Sequence, residues 1–217
     1  MIKQKKSIFY TTAAIALSIV IIVTYGFYTN YGLSAKMDVT QTRIETVNFF
    51  VKDVERDLGK GVYIAGFRTL LSFNQYIAAN GTYIGSVSGS FRESFINGTI
   101  DKQPLSLMKD STFDDWASKI SAEADKIDIK FNYTINDVRL NQTDAWTVDI
   151  GVNVSLDIRD KRNTSYWIKE KYLINRIGIT GFEDPLYAIN TKGRIANTII
   201  KSNVTNFVVG GNTKNLM

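Results

Sequence analysis

The sequence predicts an α+β protein: an N-terminal transmembrane helix continuing into an amphipathic helix, packed against a three- or four-stranded antiparallel sheet. Three observations predict it. No charged residue occurs from Ser7 through Ala35. Past that run, apolar residues recur at alternating three- and four-residue spacing, and from Ile127 onward the spacing switches to two. The 217 residues divide into a cytoplasmic tip (1–7), a transmembrane helix (8–33), an amphipathic helical stalk (34–79), an exposed loop region (80–110), a helix-plus-sheet region (111–209) and a flexible tail (210–217).

The uncharged run is the strongest feature. Its centre, Ala13 to Val23, is apolar except for Ser18. A helix rises about 1.5 Å per residue, so about 20 residues cross a hydrocarbon core of about 30 Å. Phe9 and Tyr10 stand at one end, and Tyr25, Phe27, Tyr28 and Tyr31 at the other, as expected of rings at headgroup level. Lys3, Lys5 and Lys6 precede the run, whereas Lys36, Asp38, Arg43 and Glu45 follow it and cancel. The positive-inside bias then places the N-terminus in the cytoplasm and residues 36–217 outside. Gly32-Leu33-Ser34-Ala35 also fits the end of a cleaved secretory signal. The run, however, exceeds the roughly 7–15 residues of a signal core and exits through bulky aromatics, which favours an uncleaved anchor.

Beyond the anchor, Ile44, Val47, Val51, Val54 and Leu58 form one helical stripe, with Gly59 and Gly61 marking a break or kink. A second helical stretch with Ile64, Phe67, Leu70, Leu71 and Tyr76 ends at Asn80-Gly81. Residues 80–103 are rich in Gly, Ser, Thr and Asn and read as a long exposed excursion. Ser111-x-x-Asp114 has the form of a capping box opening a helix through Phe113, Trp116, Ile120, Ala124 and Ile127. Ile129, Phe131, Tyr133 and Ile135 then alternate with polar residues, and Trp146 through Ile158 give seven apolar alternations. Asp160-Lys161-Arg162-Asn163 turns the chain into a third strand near Tyr166–Ile177. Such a sheet has one apolar face, for which the helices of 36–79 are the available cover. Asp184 before Pro185 is biased away from helix, so Gly181 to Tyr187 reads as a turn.

Composition narrows the chemistry. The chain has no Cys and no His, which argues against zinc and against Cys- or His-based nucleophilic catalysis. Its net charge is +5, of which the tip supplies three, and the remaining Lys and Arg are interspersed with Asp and Glu. No clustered basic face for nucleic acid emerges. Seven of 17 asparagines stand in Asn-x-Ser/Thr sequons, against about three expected from the Ser and Thr content. They are Asn80, Asn97, Asn132, Asn141, Asn153, Asn163 and Asn203, and all lie past the anchor. Asn132 and Asn153 fall on the polar phase of their strands.

Candidate reactive groups are few. Glu183 and Asp184 form an adjacent carboxylate pair, which on extended chain points to opposite faces and is ordinarily solvated. Asp137, Asp144, Asp149 and Asp157 lack the spacing of a calcium loop. Trp167 shares its strand phase with Lys169 and Lys171 and is the aromatic placed to be exposed for binding. No catalytic residue, cofactor or metal is implied.

The order of these elements resembles archaeal type IV pilin-like proteins and related N-terminally anchored surface proteins. Several sequons without Cys are similar to archaeal surface proteins, and Gly181-Phe182-Glu183-Asp184-Pro185-Leu186-Tyr187 is similar to a segment of membrane-anchored proteins of this layout. The resemblance covers the whole chain by architecture and those seven residues by motif. Lys5-Lys6-Ser7-Ile8 lacks the Gly or Ala that usually precedes a pilin's apolar stretch, and no Glu follows it at the position many pilins use. The resemblance implies a non-enzymatic, pilin-like surface protein whose partners are the lipid bilayer and other such subunits, met through the N-terminal helix. The alternative is an extracytoplasmic module that binds a glycan or a partner protein.

Overall fold

The computed structural model describes the backbone of residues 3–202 and the side chains of 9–28 and 36–202. Asn203 and the 210–217 tail lie outside the described residues. The first element is a helix, α1 (Lys3–Asn80). The chain divides into two units at Phe49/Phe50.

In the first unit, residues 9–28 carry the apolar run on a helix whose side chains are exposed. In the second unit, α1 presents Val51, Val54, Leu58, Val62, Ala65, Thr69, Ser72 and Phe73 as one buried stripe. The three- and four-residue spacing thus runs on past Leu58. Gly59 and Gly61 do not break the helix as their residue type predicts, because the stripe on either side of them is buried and holds the turn in place.

The glycines instead permit close approach. A Cβ at Gly61 would lie 2.8 Å from Cδ2 of the Trp116 indole, and one at Gly66 would lie 2.3 Å from Ile150 Cδ1. Trp116 also donates its indole N–H to Asp57 Oδ2 at 3.0 Å, one turn before Gly61.

Residues 80–103 are not the exposed excursion that their Gly and Ser content predicts. They contain α2 (Val87–Asn97), which buries Phe91, Ser94 and Phe95, and a tight hairpin of β1 (Thr99–Ile100) and β2 (Gln103–Pro104). The hairpin turn holds Asp101 and Lys102 at positive φ. Glu93 secures it by accepting from Thr99 Oγ1 at 2.6 Å and from the Lys102 backbone N–H at 2.9 Å. The i,i+4 pair of phenylalanines overrides the loop-like composition, because burying two rings contributes several kcal/mol.

A short 3-10 turn (Ser106–Met108) leads to α3 (Phe113–Lys126). Its capping box is one residue later than Ser111 and Asp114 suggest. The Thr112 hydroxyl accepts from the Asp115 backbone N–H at 3.0 Å, and the Asp115 carboxylate accepts from the Thr112 N–H at 3.0 Å. That register frees Asp114 to accept from the Tyr133 hydroxyl at 2.5 Å.

The sheet has three strands among the described residues, ordered β3 (Ile129–Asp144), β4 (Thr147–Asp160) and β5 (Tyr166–Gly178), antiparallel throughout. On β4, Val148, Ile150, Val152, Val154, Leu156 and Ile158 are buried on one face. Trp146, grouped with them by alternation, precedes the strand in the turn. β3 is longer than its alternation predicts because its phase changes. A register shift between Ile135 and Asp137 passes over Asn136, after which Val138 and Leu140 oppose Val152 and Ile150. Such a bulge moves the inward face from odd to even positions.

A run of ring contacts then links helices and sheet. Phe73, Phe91, Phe95, Phe113 and Trp116 follow one another at 5.0–6.2 Å between centroids, and Trp116 reaches Phe131, which meets Phe50. At the C-terminal side, Asp184 takes an extended backbone as Pro185 requires, yet it is also the N-cap of a short helix, α4 (Pro185–Thr191).

Candidate functional site

The apolar segment Phe9–Tyr28 spans 20 residues with mean hydropathy 1.8, long and apolar enough to cross a membrane. Three of its hydroxyls are paired within the helix: Thr12, Ser18 and Thr24 donate to the carbonyls of Phe9, Ala14 and Val20 at 2.7–3.0 Å. Self-satisfied hydroxyls suit a hydrocarbon setting, where unpaired polar groups are costly. Phe9, Tyr10, Tyr25, Phe27 and Tyr28 are all exposed at the two ends of this segment.

Of the six described sequon asparagines, Asn80, Asn97, Asn132, Asn141 and Asn163 are exposed, whereas Asn153 is half-buried. Its Nδ2 donates to Glu170 Oε1 at 2.5 Å, and its Oδ1 is buried with no hydrogen-bond partner among the described residues. Ser155 of the same sequon accepts from Asn136 Nδ2 at 2.8 Å, and Asn136 also donates to Glu170.

The other sequence-derived candidates are engaged by different partners. Trp167 opposes Ile158 and is half-buried, on the strand phase that points toward the helix side. On the same phase Lys171 pairs with Glu55 of α1 at 2.5 Å, and Asn175 donates to the Gly59 carbonyl at 3.2 Å. Asp184 uses its carboxylate as a cap, accepting from the Leu186 N–H at 2.9 Å. The Glu183 backbone carbonyl accepts from Asn74 Nδ2 at 2.8 Å, and Glu183 bridges to Thr198. The four aspartates considered for calcium each have another partner: Asp137 pairs with Arg139, Asp157 with Arg159, Asp149 with Arg176, and Asp144 accepts from the Trp146 N–H and the Thr147 hydroxyl.

The feature that sequence reading missed lies on the outer face of the sheet. A depression of about 490 Å³ is lined by, among others, Arg139 and Asn141 of β3, Asp149 and Gly151 of β4, and Tyr172 and Ile174 of β5. Gly151 forms its floor. A Cβ there would lie 2.7 Å from the Tyr172 hydroxyl and 3.3 Å from Cζ, so the tyrosine leans diagonally over the glycine. Arg176 donates to both oxygens of Asp149 at 2.7 and 3.0 Å and holds that carboxyl below its usual range. Thr143, the sequon threonine of Asn141, donates to Asp149 at 3.3 Å. Tyr172 is 57% and Ile174 62% exposed, and Tyr166 and Ile168 extend the same apolar strip. The available signal was a glycine in the middle of the clearest strand, since such a residue often marks close approach of another group. Comparison of the chain with protein-family models, curated proteins and solved structures finds no match.

Proposed function

We propose that this chain is a single-pass, membrane-anchored and N-glycosylated extracytoplasmic surface protein, pilin-like in layout, with a structural or assembly role. The observation that carries the reading is α1 itself. One helix bears an exposed apolar run of membrane-crossing length and, from Val51 onward, the stripe buried within the second unit, the head (residues 50–217). An exposed apolar run of this kind is costly in water and is satisfied by lipid or by like helices. The charge asymmetry around it supports a cytoplasmic tip and an outward head, and the exposed sequons past it agree with that side.

Glycosylation is supported by the five exposed sequon asparagines. In that reaction the asparagine Nδ2 bonds to the anomeric carbon of a lipid-linked sugar, the bond from that carbon to the carrier phosphate breaks, and the amide loses a proton.

Alkaline carbonate extraction of native membranes, followed by intact mass of the pelleted protein, tests this reading. The protein stays in the pellet and its mass exceeds that of the chain by whole glycans. Release into the carbonate supernatant, or a bare mass, contradicts it. Electron microscopy of the cell surface tests the assembly role, which requires filaments or arrays that carry this chain.

A second reading, an extracytoplasmic binding module, draws support from the outer-face depression, where an aromatic ring lies beside a charged pair. Loss of partner or glycan capture by a Tyr172→Ala protein, with capture kept by Trp167→Ala, would favour it through that face.

A further inference from the structure

The outer-face strip poses a physical question. Tyr166, Ile168, Tyr172 and Ile174 stand 57–76% exposed on β5, the last strand of the sheet. Exposed Glu170 divides them into two pairs, and exposed apolar pairs on an outer strand are an association hazard unless something covers them.

The sequon Asn153 lies directly opposite Tyr172, but its amide nitrogen is bound to Glu170, so the cover with a fixed address is Asn141. It is exposed and lies at the rim of the same depression that Tyr172 and Ile174 line. The register places it opposite Asp149, with Arg139, two residues before it, opposite Gly151. One strand spacing across and two residues along separate Asn141 from Gly151 by about 8 Å. The Tyr172 hydroxyl reaches over that glycine, within span of the first sugars attached at Asn141.

The chemistry is complementary as well. A pyranose offers an apolar C–H face and a rim of hydroxyls. The lining supplies a tyrosine ring and an isoleucine for the face and Asp149 for the hydroxyls, and Arg176 pairs with that aspartate from beside the depression. Thr143 ties the sequon down to Asp149, which limits the directions in which a sugar on Asn141 leaves the surface. Because the sugar is tethered, docking is intramolecular and needs little intrinsic affinity.

We infer that the N-glycan carried by Asn141 folds back onto the sheet, its first sugars lying on Tyr172 and Ile174 beside the Asp149–Arg176 pair. This rests on the glycosylation reading above. The depression is then a docking site for the protein's own glycan rather than for a soluble ligand, and the glycan shields the inner half of the β5 strip.

Hydroxyl-radical footprinting of the full-length protein, read by peptide mass, tests it. Native protein is compared with Asn141→Gln and Asn141→Asp made in the same host, both checked for an unchanged melt. Oxidation of Tyr172 is expected to be severalfold slower in native protein than in either variant, while Tyr166 reacts alike in all three. Equal Tyr172 rates with Asn141 modified overturn the docking and leave the glycosylation reading standing. A bare Asn141 in native protein overturns the docking at its source, and bare sequons throughout overturn the glycosylation reading too. If free oligosaccharide released from the host's glycoproteins protects Tyr172 equally well in Asn141→Gln, the tethered assignment fails and the depression belongs to a soluble ligand.

Discussion

Two glycines on α1, two positions apart, meet different surroundings and carry opposite predictions. Nothing lies within 4 Å of a Cβ built on Gly59, whereas one built on Gly61 meets three indole carbons of Trp116 at 2.8–2.9 Å. Gly59→Ala therefore gains helix propensity and stabilises the protein by about 0.5–1 kcal/mol. Gly61→Ala drives a rigid ring off the helix, strains the Trp116–Asp57 hydrogen bond, and costs about 1–3 kcal/mol. Denaturant unfolding of the two variants checks this, and shifts of the same sign would contradict the packing. The residue scale also separates the sequons. Asn153 has its amide nitrogen bound to Glu170 and its sequon serine bound to Asn136, so glycopeptide mass should find it the least occupied of the six described. Neither distinction was legible in the sequence, where both glycines read as breakers and Asn153 shared with Asn132 the polar phase of its strand, because each depends on what packs opposite.

At the scale of elements, periodicity was the reliable signal and composition the misleading one. The burial of β4 follows its alternation at six positions, since a sheet with one covered face leaves little freedom in which residues point inward. α2 escaped because Ser and Gly dominate its segment, although Phe91 and Phe95 are four apart and both fully buried. Phe95→Ala is therefore expected to destabilise the head by about 3–5 kcal/mol, a core value rather than the near-zero change of an exposed loop. The cap of α3 shows a subtler failure. Thr112 and Asp115 form the box, while Ser111 and Asp114 have the same spacing one residue earlier, and Asp114 instead accepts from the Tyr133 hydroxyl. Thr112→Ala should cost about 1 kcal/mol and Ser111→Ala little, measured as unfolding free energies. Burial and the bond to Asp114 also push the Tyr133 hydroxyl far above its ordinary titration range, so that phenol stays protonated in mildly alkaline solution.

For the whole molecule, the titrating groups predict a one-sided pH response. The Thr99 hydroxyl and the Lys102 N–H hold Glu93 below its usual range, and the Thr147 hydroxyl and the Trp146 N–H do the same for Asp144. Burial opposes ionisation of Asp115, but its hydrogen bonds from Thr112 outweigh that, and Arg176 lowers Asp149. Each folded-state value lies below the unfolded one. The stabilisation is thus present above about pH 4 and is lost as pH falls through the folded values. The chain has no histidine, so urea midpoints should stay level from about pH 5 to pH 8 and drop only in acid. A marked change between pH 6 and 7 would contradict this.

The α+β architecture, an apolar segment of membrane-crossing length and the buried face of the sheet were readable from spacing. The outer-face depression was not, because Asn141, Gly151 and Tyr172 meet only through strand register. The proposed topology has Phe9–Tyr28 crossing the membrane with the head outside. Protease added to intact cells should then digest the head while a membrane-held N-terminal fragment survives. A chain that resists digestion until the membrane is breached, or that fractionates with soluble protein without detergent, would contradict it.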